Sequence, residues 1–298
     1  MSDSMSTVVP QDRSSATRPV YWSIRRELWE NRSLYMAPLI VAAVFLFGFL
    51  VSVFRLPAKI RALEAGKAAT LVTPYSLGAS MILLTGFIVG MFYCLDALNG
   101  ERRDRSILFW KSMPVSDRQT VLSKAAVPWL VLPLLTIAIV LAMDLIMLLV
   151  STLVLMVNGI NPVTLWTNLP LPSMTAIMFY GVFAHVLWFA PIHGWFLLIS
   201  AWAKRAMFLW AVLPFLAAFA LERIVFGTSH GAAFLKYRFL GTMMEAFSVD
   251  MKSGGAITRF AQLTPLRFLS TSSLWLGMLF AAMCVIAAVR LRRNREPI

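Results

Sequence analysis

Residues 127–150 read VPWLVLPLLTIAIVLAMDLIMLLV, and the only formal charge in this stretch is Asp144. A hydrocarbon core of about 30 Å is crossed by about 20 helical residues, and a backbone placed there has no water to bond, so a run of this kind must fold as a helix. Five further segments have the same character: 34–54, 75–98, 177–203, 207–226 and 269–289. The expected fold is therefore an all-α integral membrane protein with six transmembrane helices, spread over 34–289. Composition agrees. Of 298 residues, 59% are apolar and 14% charged, and mean hydropathy is +0.75; a soluble domain carries about 25% charged residues.

The net charge is +13, from 27 Lys and Arg against 14 Asp and Glu. Its distribution is uneven. The stretch before the first span, the connections after spans two and four and the C-terminal tail 290–298 carry seventeen Lys and Arg, and the other connections carry nine. By the positive-inside rule both termini are expected in the cytoplasm, with a bacterial inner membrane as the expected location. Such an excess reads as membrane anchoring and contact with anionic headgroups, not as nucleic-acid binding, because no soluble basic face accompanies it. Cys94 and Cys284 lie inside apolar runs and read as small core residues.

Residues 1–18 form a polar tail rich in Ser and Thr, without the pattern of a cleavable signal. In 19–33, Trp22, Ile24, Leu28 and Trp29 alternate with Arg25, Arg26, Glu27, Glu30 and Arg32. On a helix this separates an apolar from a charged face, which predicts an interfacial segment anchored by Trp22, Arg25, Arg26 and Trp29. The alternative is a simple inward extension of span one.

The connection between spans two and three, within 99–124, begins NGERRDRSILFWKSMPVSDRQ. Glu101 and Arg105 are spaced i,i+4 in the favourable order, Pro114 stops a helix, and Ser116 with Gln119 fits a capping box that opens the next one. Between them Ile107, Leu108, Phe109 and Trp110 make an apolar knob flanked by cations. Such a knob is costly in water and must meet lipid or another protein.

These residues carry a resemblance. An amphipathic N-terminal helix, six spans and the pattern N-G-E-R-x-x-x-S-I-L-x-x-x-S-x-P-V-S-x-x-Q after span two resemble the type-2 ATP-binding-cassette (ABC) exporter permeases. The resemblance implies that the loop is a coupling helix seated in a cleft of a separate nucleotide-binding ATPase subunit. Glu101, Arg105, Ser106, Leu108, Phe109, Trp110 and Lys111 are then the contacts. Phe109 and Trp110 stand where smaller aliphatic residues are more usual in that family. It also implies a second copy of the chain, as a homodimer with two ATPase copies. No G-x-x-x-x-G-K-[ST] sequence is present, so the chain itself has no phosphate-cradling loop; ATP and Mg are expected on the partner, with no cofactor here.

Ionisable residues at membrane depth are candidates for function because burying them is costly. Asp144, Glu222 and Arg223 fall near the outer ends of their spans, while His185 and His193 share one face of span four. They read either as the polar lining of an outward pathway or as packing residues, with Asp144 paired to Arg223 or Glu222 paired to the Arg223 of a second subunit. Two histidines eight apart with one remote aspartate lack metal-site spacing, so no metal is expected. Residues 127–157 would reach about 46 Å as an upright helix, so Pro128 and Pro133 are expected to kink or tilt it. The family resemblance implies short re-entrant or surface helices in the outer connection 227–268, and Glu222 is placed to accept backbone amides at such a break.

The resulting expectation is a transmembrane permease subunit that has no catalytic residues of its own and couples a partner's ATP hydrolysis to solute movement, most simply export. Two alternatives belong to other classes. An intramembrane protease-like enzyme could draw on Ser80 in its G-x-S setting together with a histidine; a non-transporting scaffold or sensor would need no pathway.

Overall fold

The computed structural model describes residues 17–61, 69–103, 116–248, 257 and 259–294, and these residues are almost entirely helical. Among the described residues six helices are long and apolar enough to cross a membrane, which marks an integral membrane protein. Helix α1 (Thr17–Glu30) breaks at Asn31 and Arg32, where the Asn31 side chain donates to Glu27 O. The first span, α2 (Ser33–Ser52), runs on through a 3₁₀ turn (Val53–Arg55) into the short α3 (Leu56–Arg61). The second is α4 (Ala69–Asp96), followed at once by α5 (Asn99–Arg103).

The third span departs most from the upright helix of 127–150. Helix α6 (Asp117–Ala126), a π turn (Val127–Val131) and α7 (Leu132–Val157) form one helical rod of 41 residues. At the π turn the Leu132 amide reaches back five residues to Val127 O. Pro133 has no amide to continue the regular ladder, so the wider turn absorbs the interruption expected from Pro128 and Pro133. A rod of about 60 Å is twice the hydrocarbon thickness. Its start, α6, is opened by the Ser116–Gln119 capping box, with both reciprocal bonds formed.

After α8 (Val163–Asn168), the fourth span α9 (Leu171–Trp202) starts six residues before the apolar run at 177, because Pro170 and Pro172 preset its first turn. Ala206 adopts a left-handed conformation (φ 51°) at the sharp reversal into α10 (Met207–Phe226). The connection beyond holds α11 (His230–Ala246), a 3₁₀ turn (Phe260–Gln262) and α12 (Pro265–Ser270), before the sixth span α13 (Ser272–Asn294).

Among the described residues four apolar clusters hold the bundle, the smallest of them Leu95, Ile199, Ala203 and Ala211 at α10, and three are larger. One joins α2, α4 and α7 through Ala42, Phe49, Ile82, Met143 and Met147. A second gathers Leu34, Cys94, Val121, Leu197 and Val285 near the arginine-rich end of α13, called here the basic end. The third surrounds Trp188 with Phe87, Phe189, Phe247 and Phe268. Helices α9 and α13 make the most extensive pair, and they approach closely at Gly194: a Cβ there would lie 3.1 Å from Ala281 Cα. Small residues at such crossings let helices pack where lipid supplies no hydrophobic drive. Helix α10 is peripheral. Only Ala211 is buried on it, and its carbonyl accepts from Trp195 Nε1 at 3.0 Å.

Candidate functional site

The helices on either side of residues 104–115, α5 and α6, meet in a buried charge cluster at the basic end. Glu101 on α5 lies 2.5 Å from Arg292 on α13 and 3.2 Å from Lys124 on α6. The Lys124 ammonium is also 2.7 Å from Glu27 of α1, and Arg292 is 3.1 Å from Asp117 in the first turn of α6. The Tyr93 hydroxyl of α4 donates to the second oxygen of Glu27 at 2.8 Å. Glu27, Glu101, Lys124 and Arg292 are between 3% and 6% exposed. A buried ion is tolerated only when paired and hydrogen-bonded, and here each charge faces one or two opposite charges.

A second set of bonds fastens the same segment to the fourth span. Arg102 donates to Ser200 O at 2.6 Å and Ala203 O at 2.8 Å, the carbonyls left open where α9 ends. The Ser200 hydroxyl accepts from the amides of Leu98 and Asn99, at 2.9 and 3.0 Å. Helices α1, α4, α5, α6, α9 and α13 are therefore joined around the residues that precede and follow 104–115.

Glu101, which the family resemblance implies as a contact of the partner, is buried in this chain and points inward, where its carboxylate is shared between Lys124 and Arg292. Arg105, Ser106, Leu108, Phe109, Trp110 and Lys111 lie outside the described residues. In α1, Trp22 and Trp29 are exposed, with the Arg25 guanidinium 5.1 and 4.7 Å from their ring centres, and Arg26 pairs with Glu30. That face carries the residues named as anchors.

Of the membrane-depth residues, His185 and His193 come together around Phe87, while Asp144, Glu222 and Arg223 do not join them. Asp144 lies in the α2–α4–α7 core near Tyr75, and its Oδ1 is buried without a hydrogen-bond partner among the described residues. It does not pair with Arg223, which donates to Gly227 O at 3.1 Å. Glu222 ties the turn after α10 to the start of α11: it accepts from the His230 amide at 2.6 Å, the Gly231 amide at 2.8 Å and the Thr228 hydroxyl at 2.8 Å. His185 and His193 flank Phe87, with ring centres 5.3 and 5.7 Å from it. Ser80 is exposed, its hydroxyl donating to Ser76 O at 2.7 Å within its own helix.

Helix α11 is held by Arg238, a residue to which the sequence draws no attention. Its guanidinium donates to Trp188 O in the turn before Pro191 and lies 4.9 Å from the Trp188 ring centre, while Trp188 Nε1 donates back to Arg238 O at 2.7 Å. Gly241 permits this approach, since a Cβ there would press into the Trp188 ring. A sequence signal for the basic-end cluster is equally faint. Lys124 and Arg292 look like ordinary flanking cations, and nothing local ties Glu27 to Lys124 across 97 residues.

Compared with family models, with curated proteins and with solved structures, the chain matches none. Among the described residues no group of three or more His, Cys, Asp and Glu is placed to hold a metal ion.

Proposed function

We propose that the chain is the membrane-spanning permease subunit of an ATP-driven transporter of the ABC type, with the segment 104–115 as the element gripped by a separate nucleotide-binding ATPase. The observation that carries this reading is the cluster at the base of that segment. A loop that only rested on headgroups would need no anchoring. This one is fastened on one side through Glu101 and Arg102 and on the other through Asp117 and Lys124, and its anchors reach α1, α9 and α13. A push on the loop is thereby delivered to several helices as a rigid displacement, which a transporter needs in order to reorient a pathway. The α6 extension supports the same reading, because it adds about 15 Å of helix to the third span on the loop side.

In this reading the basic end faces the cytoplasm, both termini lie there, α1 rests in the headgroup layer, and a second copy of the chain completes the permease. ATP and Mg are held by the partner, and solute moves outward. The pattern across 98–124 and the six apolar spans are what support it.

The test uses the affinity-tagged full chain extracted in mild detergent. Vanadate-sensitive ATPase activity is expected to co-purify with it, and Phe109→Asp with Trp110→Asp is expected to abolish that activity at unchanged yield of the tagged chain. ATPase activity retained at the original level in the double variant contradicts the reading.

A further inference from the structure

The seam between α7 and α9 carries two adjoining cavities that the coupling reading does not use. The outer one is an apolar groove of about 480 Å³, walled by Leu134, Ile137, Phe183, Leu187 and Met278 with the indole of Trp129. Its volume falls in the range of about 300–1,000 Å³ typical of small-molecule pockets. The inner one is a chamber of about 20 Å³ reached past Pro133, Val182 and Val186, which line both, and it contains His185 and His193.

Unmatched polar atoms concentrate here. Trp129 Nε1, His185 Nε2 and both ring nitrogens of His193 are buried and have no hydrogen-bond partner among the described residues, and His193 is only 4% exposed. Buried polar atoms of this kind are costly unless something bonds them. The chemistry they request is specific. A neutral imidazole offers one donor and one acceptor, which suits a hydroxyl; an indole offers a donor only, which suits a carbonyl oxygen. No Asp, Glu, Lys or Arg lines either cavity, so an ionic headgroup would be buried there without a counter-charge.

We propose that the α7–α9 seam binds an uncharged single-chain ester bearing hydroxyl groups, of the monoacylglycerol type. One of its hydroxyls enters the His185–His193 chamber, which has room for a single water-sized group, its ester carbonyl accepts from Trp129 Nε1, and its alkyl chain and remaining headgroup lie along the groove. A groove of this size suits one hydrocarbon chain. Because α7 belongs to the same rod as α6, an occupant here sits on the element that leads to the loop 104–115. Binding itself does not depend on the ATPase reading, because it is measured on the purified chain without nucleotide.

The experiment places the full chain in phosphatidylcholine nanodiscs with a monoacylglycerol carrying a photoactivatable group in its acyl chain, and maps adducts by mass spectrometry. Adducts are expected on α7 and α9, displaced by unlabelled monoacylglycerol but not by a single-chain lysophosphatidic acid. Val186→Trp, which fills the shared wall, is expected to reduce labelling roughly tenfold, and His193→Phe to weaken it by a similar factor through loss of a hydrogen-bonded contact. Should His193→Phe fail to fold, Val186→Trp at the partly exposed wall decides the matter. Adducts spread evenly over α2 and α10, labelling that survives Val186→Trp, or equal displacement by the anionic competitor would overturn the proposal.

Discussion

At the basic end Lys124 is shared between Glu27 and Glu101, and Arg292 between Glu101 and Asp117, so side-chain charges bind one another across as many as 191 positions of sequence. At the other end Glu222 and Arg238 make no ion pair among the described residues. Glu222 binds amides eight and nine residues on, and Arg238 binds the carbonyl of Trp188. A shared ion cluster links distant helices into one body, and removing any member strands its partners. Charge matched to backbone fixes a local geometry, and each group can be deleted together with its own demand. The first arrangement suits a place where force is passed on. The second suits a turn that must keep its shape.

That contrast sets an order of expected effects. Lys124→Met leaves Glu27 and Glu101 buried without their shared cation and is expected to cost roughly 3–5 kcal/mol, read from the unfolding of the purified chain in detergent. A loss below about 1 kcal/mol would mean that the cluster is effectively solvated and cannot act as a rigid link. Arg238→Met removes the charge along with its bonds, so the donors to Trp188 O and Ser273 O and the contact with the Trp188 ring disappear while no opposite charge is stranded. The expected loss is about 1–3 kcal/mol, smaller than for Lys124→Met, and a larger one would reverse the distinction between the two ends. Ser116→Ala unmakes the capping box of α6 and should cost about 1 kcal/mol, confined to the first turn as faster amide exchange near Gln119.

The same contrast explains what could be read from sequence. The Ser116–Gln119 box and Glu222 as an acceptor for a nearby broken turn depend on residues a few positions apart, and both are present as bonds. The six spans were legible because apolar length is a local property, although their ends shifted where α13 begins at Ser272, after the separate short helix Pro265–Ser270. The Glu27–Lys124–Glu101–Arg292 cluster was not legible. Each member looks like a common flanking charge, and their meeting is decided by the way α1, α5, α6 and α13 pack. Glu101 shows the difficulty most plainly: its spacing from Arg105 suggests an exposed helical pair, while the fold assigns it to Lys124 and Arg292. His185 and His193 were recognisable as one helical face, but the groove beside them is created by α7 and could not be seen from α9 alone.

The burial of α11 adds a geometric refinement. Thr242, a natural position for probing that segment, faces inward, whereas Met243 is exposed. A cysteine at 243 is expected to react with membrane-permeant maleimides and to resist impermeant ones if this face meets lipid; ready labelling by both would place α11 in water.

The central claim is that the segment 104–115 is held against a soluble motor. It is tested most directly by a photoreactive amino acid at position 110 of the full-length chain, activated in intact cells. The account predicts one dominant covalent adduct, to a nucleotide-binding ATPase, lost when that ATPase is deleted. Adducts to lipid alone, unchanged by the deletion, would contradict it.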